Sequence, residues 1–194
     1  MSERGHALDA FLRGSARADR STVAVSVLPA RDVINLRGDA GDKSFVEAVG
    51  QVLRQELPLE ANTFTTAMST TYWVGPDEWL IVSPGDERPT LPTLLDDALG
   101  NRHATMNMLS GGYVALRISG EDASNLLAKG CTLDFHPGVF RTGQCAQSGL
   151  AKASVLIAKA DEAPVYDVLV RRSFAEYVAH WLRHAGAEYG IRFD

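Results

Sequence analysis

The chain can be laid on itself without a gap at an offset of eighty residues, and this self-similarity limits its possible folds more than any other feature. Leu36 and Arg37 fall on Leu116 and Arg117, Asp42 on Asp122, Ser44 on Ser124, Val46 on Leu126, Ala48 on Ala128 and Gly50 on Gly130. That makes seven like pairs within fifteen positions, gathered at a strand, a turn and the helix that follows. Similarity placed that way predicts one supersecondary unit used twice. Each unit reads strand, helix, strands, helix, so the expected class is α+β: duplicated antiparallel sheets, with helices on one side of each. The pseudo-repeats run over about 21–101 and 102–194 within one domain of 21–194. Residues 1–20, rich in Arg, Asp, Ser and Gly, read as a flexible N-terminal arm.

Local patterning supplies the elements. Val23–Leu28 and Val33–Leu36 read as two strands joined by a turn at Pro29-Ala30-Arg31-Asp32. Phe45, Val46, Val49, Val52, Leu53 and Leu57 recur at helical spacing, with Ser44 and Glu47 as a capping box and Pro58 as the stop. Three short strands follow, over 63–68, 71–74 and 79–82. After the Pro/Gly-rich break at 83–92 comes a short helix through Leu94, Leu95 and Leu99. The pattern then restarts with strands at 103–109 and 113–118, a helix over 121–129 ended by Gly130, and a long loop from Cys131 to Gln144. Strands at 146–150, 154–158 and 165–170 lead to a last helix. Phe174, Tyr177, Val178, Trp181, Leu182 and Ala185 are its expected apolar face, and Ser173 with Glu176 a second capping box.

Charge narrows the partners. A net charge of -5 with scattered arginines argues against nucleic acid, whose phosphates select a basic surplus. The first twenty residues hold no apolar run that could serve as a signal or span, so a cytoplasmic protein with no membrane partner is expected. In that reducing compartment Cys131 and Cys145 are expected as free thiols.

Chemistry-bearing motifs are absent where the spacing is tested. Gly38-Asp39-Ala40-Gly41-Asp42-Lys43-Ser44 lies between a strand and a helix, as a phosphate loop would. Asp42, however, puts a carboxylate where glycine must precede the lysine, so the segment reads as a polar turn and helix cap. Cys131, His136 and Cys145 contain no Cys-x-x-Cys, and His180 with His184 flank an apolar stripe as solvated histidines do. Ser110 before Gly111-Gly112 lacks the strained nucleophile elbow and reads as a hairpin turn. No catalytic, cofactor-binding or metal residue is expected in this chain.

The aromatic residues are more informative. Tyr72-Trp73-Val74-Gly75-Pro76-Asp77-Glu78-Trp79 packs three large rings around one tight turn. Strand alternation is expected to turn at least one tryptophan away from the core. Phe135 and Phe140 sit on the long loop, where docking function concentrates. Tyr72, Trp73, Trp79, Phe135 and Phe140 are therefore the candidate partner interface.

From Trp73 to Leu80 the sequence resembles the gamma subunit family of heterotetrameric sarcosine oxidase. The resemblance continues through Leu116-Arg117-Ile118-Ser119-Gly120 with Leu126 to Cys131, and through Leu133-Asp134-Phe135-His136-Pro137 with Phe140 and Gly143 to Gln147. It ends with Arg171 to Ala175 running on to Trp181-Leu182. It implies a fold similar to the folate-binding region of the glycine-cleavage T-protein, without that protein's C-terminal barrel, for which the chain is expected to be too short. It also implies a non-catalytic role beside alpha, beta and delta subunits, with alpha in direct contact. FAD, FMN, NAD and tetrahydrofolate would lie in the alpha and beta partners and zinc in delta, with no cofactor here. The complex would remove hydride from sarcosine to flavin, pass the one-carbon unit to tetrahydrofolate or release formaldehyde, and leave glycine. The alternative is a freestanding folate-binding protein of T-protein type. Such proteins use a carboxylate in the pterin pocket, where Met106-Asn107-Met108-Leu109-Ser110 offers an amide and thioethers.

Overall fold

A computed structural model describes residues 8, 21–28, 32–83 and 90–194. The expected N-terminal arm lies outside the described residues except for Leu8, which is buried in a hydrophobic core. The chain divides into two units, one of residues 30–111 and one built from the segments on either side of it.

The unit of 30–111 holds a five-stranded antiparallel sheet and two helices. Its strands are β2 (Asp32–Gly38), β3 (Phe64–Thr66), β4 (Thr70–Gly75), β5 (Glu78–Ser83) and β6 (Ala104–Met108), in spatial order β3-β4-β5-β2-β6. Helices α1 (Lys43–Leu53) and α2 (Leu91–Leu99) bury Phe45, Val49, Leu53, Leu91, Leu95 and Leu99 against Ile34, Leu36, Trp79 and Ile81 of the sheet. The cap of α1 differs from the expected box. Asp42 is the N-cap and accepts from the Ser44 backbone N–H at 2.8 Å, while Arg54 ends the helix in the left-handed region, before Pro58 is reached.

The other unit holds β1 (Ala24–Val27), β7 (Tyr113–Ser119), β8 (Cys145–Leu150), β9 (Ala153–Asp161), β10 (Val165–Arg171) and β11 (Arg192–Phe193), in order β11-β1-β7-β10-β9-β8. Helices α3 (Ala123–Ala128) and α4 (Arg172–Ala185) pack on one face of that sheet, where Val114, Leu116, Ile118, Tyr166, Val168 and Val170 meet Ala175, Val178, Ala179 and Leu182. The second capping box does not form. Helix α4 begins directly after β10 with Arg171 as its cap residue and no side-chain cap bond.

The two orders match strand for strand: β6-β2-β5-β4-β3 in one unit is β1-β7-β10-β9-β8 in the other. Arg37 faces Glu78 across β2 and β5, and Arg117 faces Asp167 across β7 and β10, so even the cross-strand ion pairs recur. One exchange distinguishes the units from the sequence repeat. β1 and β6 lead their respective repeats, yet β1 pairs with β7 and β6 pairs with β2. The strands over Val23–Leu28 and Val33–Leu36, read as one connected pair, are thus parted between two sheets. The turn that admits β1 is tight: Gly120 has φ +116, and a Cβ there would lie 2.1 Å from the Thr22 carbonyl oxygen.

Candidate partner interface

The tryptophans of the β4–β5 hairpin do not point to opposite sides. Trp73 and Trp79 stand directly across from each other in the register, and residues opposed in an antiparallel pair share a face. Both face the helices. Trp79 is wholly buried, its ring centroid 5.7 Å from Phe45, and its Nε1–H donates to the Pro58 carbonyl at 2.7 Å. Trp73 is half-buried at the rim of the same cluster. Tyr72 points to the other face, where it is buried with its ring 5.5 Å from Phe64. Alternation therefore applies between Tyr72 and Trp73, not between the two tryptophans.

The long loop is likewise internal. Phe135 and Phe140 are buried and close on Tyr166, Phe135 edge-on at 5.4 Å and Phe140 stacked at 6.4 Å with planes 2° apart. Tyr166 in turn hydrogen-bonds Ser124 at 2.7 Å, and burial pushes its phenol above its ordinary range. Local bonds hold the loop's turns. The His136 N–H donates to the Asp134 carboxylate at 2.9 Å, the Gly138 N–H to His136 Nδ1 at 3.1 Å, and the Arg141 N–H to Gln144 Oε1 at 2.7 Å. Four of the five aromatic candidates, Tyr72, Trp79, Phe135 and Phe140, thus lie inside the chain, and Trp73 alone keeps part of its surface. The structure does not bring the five together as one surface.

Other apolar side chains are the exposed ones. Phe174 and Tyr177 are 43% and 38% exposed on α4, with rings 6.5 Å apart and edge-on. The expected apolar face of that helix was centred one step away from the buried one. Small residues, Ala175 and Ala179, let the helix approach the sheet, so bulk accumulates on the flank. The spacing of the two alanines was the available signal. Trp181 lies between these extremes, its indole seated so closely on Gly130 that a Cβ there would sit 2.4 Å from the ring.

Clefts open on the surface of the described residues. One of about 440 Å³ is lined by Arg37, Gly38, Asp39, Asp77, His103, Ala104 and Thr105. A second of about 320 Å³ includes Ser21, Thr22, Ser119, Gly120, Glu121 and Arg192. The fold displaces the titration of Asp42 and Asp122, whose carboxyls are lowered chiefly by hydrogen bonds from Ser44 and Thr22, together with that of Lys129, Lys159 and Tyr166. Lys129 is raised by its bond to Glu188. Lys159 is 3% exposed, bonds the carbonyls of Asp161, Glu162 and Ala163, and is lowered by desolvation. Asp42 caps α1, Asp122 accepts from the Thr22 and Asn125 side chains, and Lys159 pins the turn after β9. Among the described residues no cluster of three or more His, Cys, Asp or Glu is placed to hold a metal ion, and Cys131 and Cys145 are buried free thiols. No helix there is long and apolar enough to cross a membrane.

Comparison with known proteins accords with this architecture. The glycine-cleavage aminomethyltransferase T of Bartonella henselae shares the fold with a TM-score of 0.65 over 90% of this chain and 48% of its own, at 12% identity. A chain of the heterotetrameric sarcosine oxidase from Corynebacterium sp. U-96, solved in complex with pyrrole 2-carboxylate, superposes with a TM-score of 0.86 at 26% identity, covering 97% of each chain. The sarcosine oxidase subunit gamma of Corynebacterium sp. strain P-1 is 30% identical over 184 residues, 95% of this chain and 88% of its own. The model of the sarcosine oxidase, gamma subunit family matches residues 37–188, and the chain belongs to that family.

Proposed function

We propose that this chain is the gamma subunit of a sarcosine oxidase and acts in it as a non-catalytic structural partner. The observation that carries the reading is the agreement with a chain of the heterotetrameric sarcosine oxidase over 97% of both chains. Oxidative demethylation of sarcosine to glycine then belongs to the other subunits. FAD, FMN, NAD and tetrahydrofolate are assigned to the alpha and beta subunits, alpha is the direct neighbour, and the complex is placed in the cytoplasm. Of the aromatic candidates, Trp73 is retained as a contact residue, while Tyr72, Trp79, Phe135 and Phe140 support assembly by holding the fold.

Affinity purification of the tagged chain from its native cell tests this. The expected result is co-purification of two large flavin-bearing chains and one small chain in fixed ratio, with sarcosine-dependent peroxide formation. A chain recovered alone that binds tetrahydrofolate in equilibrium dialysis would support the freestanding folate-binding alternative instead.

A further inference from the structure

The two matching sheets differ at one edge. In one unit β1 is not the last strand, because β11 lies beside it in parallel, with Ala24 opposite Arg192 and Val25 opposite Phe193. The Arg192 and Asp194 N–H groups donate to the carbonyls of Val23 and Val25 at 3.0 and 2.9 Å. Ile191 and Phe193 then lay their side chains on the core. In the other unit the equivalent strand, β6, is the edge, and among the described residues no strand lies outside it.

The direction of the free groups on β6 follows from its ladder. The Leu109 N–H donates to the Val33 carbonyl at 2.7 Å, and bonded pairs alternate in an antiparallel ladder. Asn107 and Thr105 therefore bond inward to β2, and the N–H and C=O of Met106 and Met108 point outward. On β1 the same logic starts from the Leu28 N–H bonded to Ala115, and it turns Val23 and Val25 outward, the residues that receive β11. With Arg37 matched to Arg117, Ala104 is the counterpart of Val25 and Met106 that of Val27. The Ala104 N–H already donates to the Arg102 carbonyl at 2.8 Å, so the Ala104 carbonyl and both backbone groups of Met106 are the ones left facing outward. Ala104-Thr105-Met106-Asn107-Met108 also lacks the charge or proline with which protein edges usually prevent pairing, and Met108 is 49% exposed.

We infer that the outer edge of β6 is a strand-addition site for an extended segment of a partner subunit, running parallel to β6. The inference rests on the reading of this chain as a gamma subunit. The segment supplies backbone bonds to the Ala104 carbonyl and to Met106, and two apolar side chains at alternate positions beside Met106 and Met108, as Ile191 and Phe193 do beside β1. A second copy of this chain fits less well. Two copies joined through the same edge about a two-fold axis pair antiparallel, whereas the matching edge within this chain takes its strand in parallel.

Hydrogen exchange of the full chain, alone and in the purified oxidase, provides the test, read on peptides spanning 104–109. The Met106 and Met108 amides are expected to exchange freely in the isolated chain and to slow by about tenfold or more in the complex. Met108→Pro, at an exposed position of the same ladder, gives a second reading. The proline removes an outward N–H and no bond to β2, so the isolated variant is expected to keep its circular dichroism spectrum while losing most recovery of assembled oxidase. An oxidase that forms with 104–109 exchanging as in the free chain overturns the inference and leaves the gamma-subunit reading intact. Failure of the wild-type chain to enter any oxidase overturns both. Slow exchange already present in the isolated chain and lost on dilution assigns the edge to a second copy and overturns the partner assignment.

Discussion

Trp79 and Pro58 are joined by a 2.7 Å hydrogen bond from the indole N–H to the proline carbonyl, buried beneath α1. The bond ties the segment after the helix to the centre of the sheet. Trp79→Phe leaves that carbonyl unpaired and is expected to destabilise the isolated chain by about 1–3 kcal/mol. Urea unfolding monitored by far-UV circular dichroism measures it, and an unchanged midpoint would contradict the role given to the bond.

Phe140 stacks on Tyr166 inside the core, so Phe140→Ala is expected to cost about 3–5 kcal/mol of stability in the isolated chain. Any loss of oxidase assembly then follows unfolding. Trp73→Ala, at a half-buried rim, is expected to cost less stability and to lower assembly directly. Parallel unfolding curves and size-exclusion yields separate the two. Full stability of Phe140→Ala with lost assembly would place that ring at the surface instead.

How far the sequence could be read depended on the range of the interaction. The helices were legible because Phe45, Val49 and Leu53 repeat at a spacing the backbone itself enforces. The duplication was legible because matching positions such as Leu36 and Leu116 do the same work in matching sheets. Which strand lies beside which was not, because β1 and β2 carry equally good strand patterns and only the rest of the chain decides where each pairs. The same limit affected the candidate interface. Whether Trp73 and Trp79 share a face depends on their register, and that is fixed by the hairpin bulge between Trp73 and Gly75. Phe174 and Tyr177 were assigned to the core because their bulk outweighed Ala175 and Ala179 in the pattern.

Gly120 and Gly149 give opposite expectations for the same change. Gly120→Ala places a methyl 2.1 Å from the Thr22 oxygen at positive φ and is expected to destabilise by about 2 kcal/mol or more. Gly149→Ala meets nothing within 4 Å and is expected to be neutral or slightly stabilising. Thermal unfolding of both variants checks the pair.

Asp42 and Asp122, at matching positions in the two repeats, both hold carboxyl groups below the ordinary value of 3.8. A carboxyl lowered in the folded chain adds stability above its unfolded value, and that stability is lost as pH falls through the folded one. Asp42→Asn with Asp122→Asn is therefore expected to reduce stability at neutral pH and to flatten its decline below about pH 4. Urea midpoints across the acid range test this. A decline as steep in the double variant as in the wild type would refute it.

The exchange of β1 and β6 sets the order in which a ribosome can finish the molecule. Every strand of the unit of 30–111 lies in one continuous stretch, so its sheet can close as soon as Met108 has emerged. β1 is made before all of them, yet its neighbours are Leu116–Ser119 and Arg192–Phe193. β1 thus waits for β7, and part of its edge is covered only once Arg192 and Phe193 have been made. Contacts of such sequence separation are slow to form, and an unpaired strand is prone to wrong partners meanwhile. Loss of Arg192 and Phe193 therefore exposes a strand laid down at residues 24–27, so a stop codon near residue 190 acts on folding yield through a partner far away in sequence.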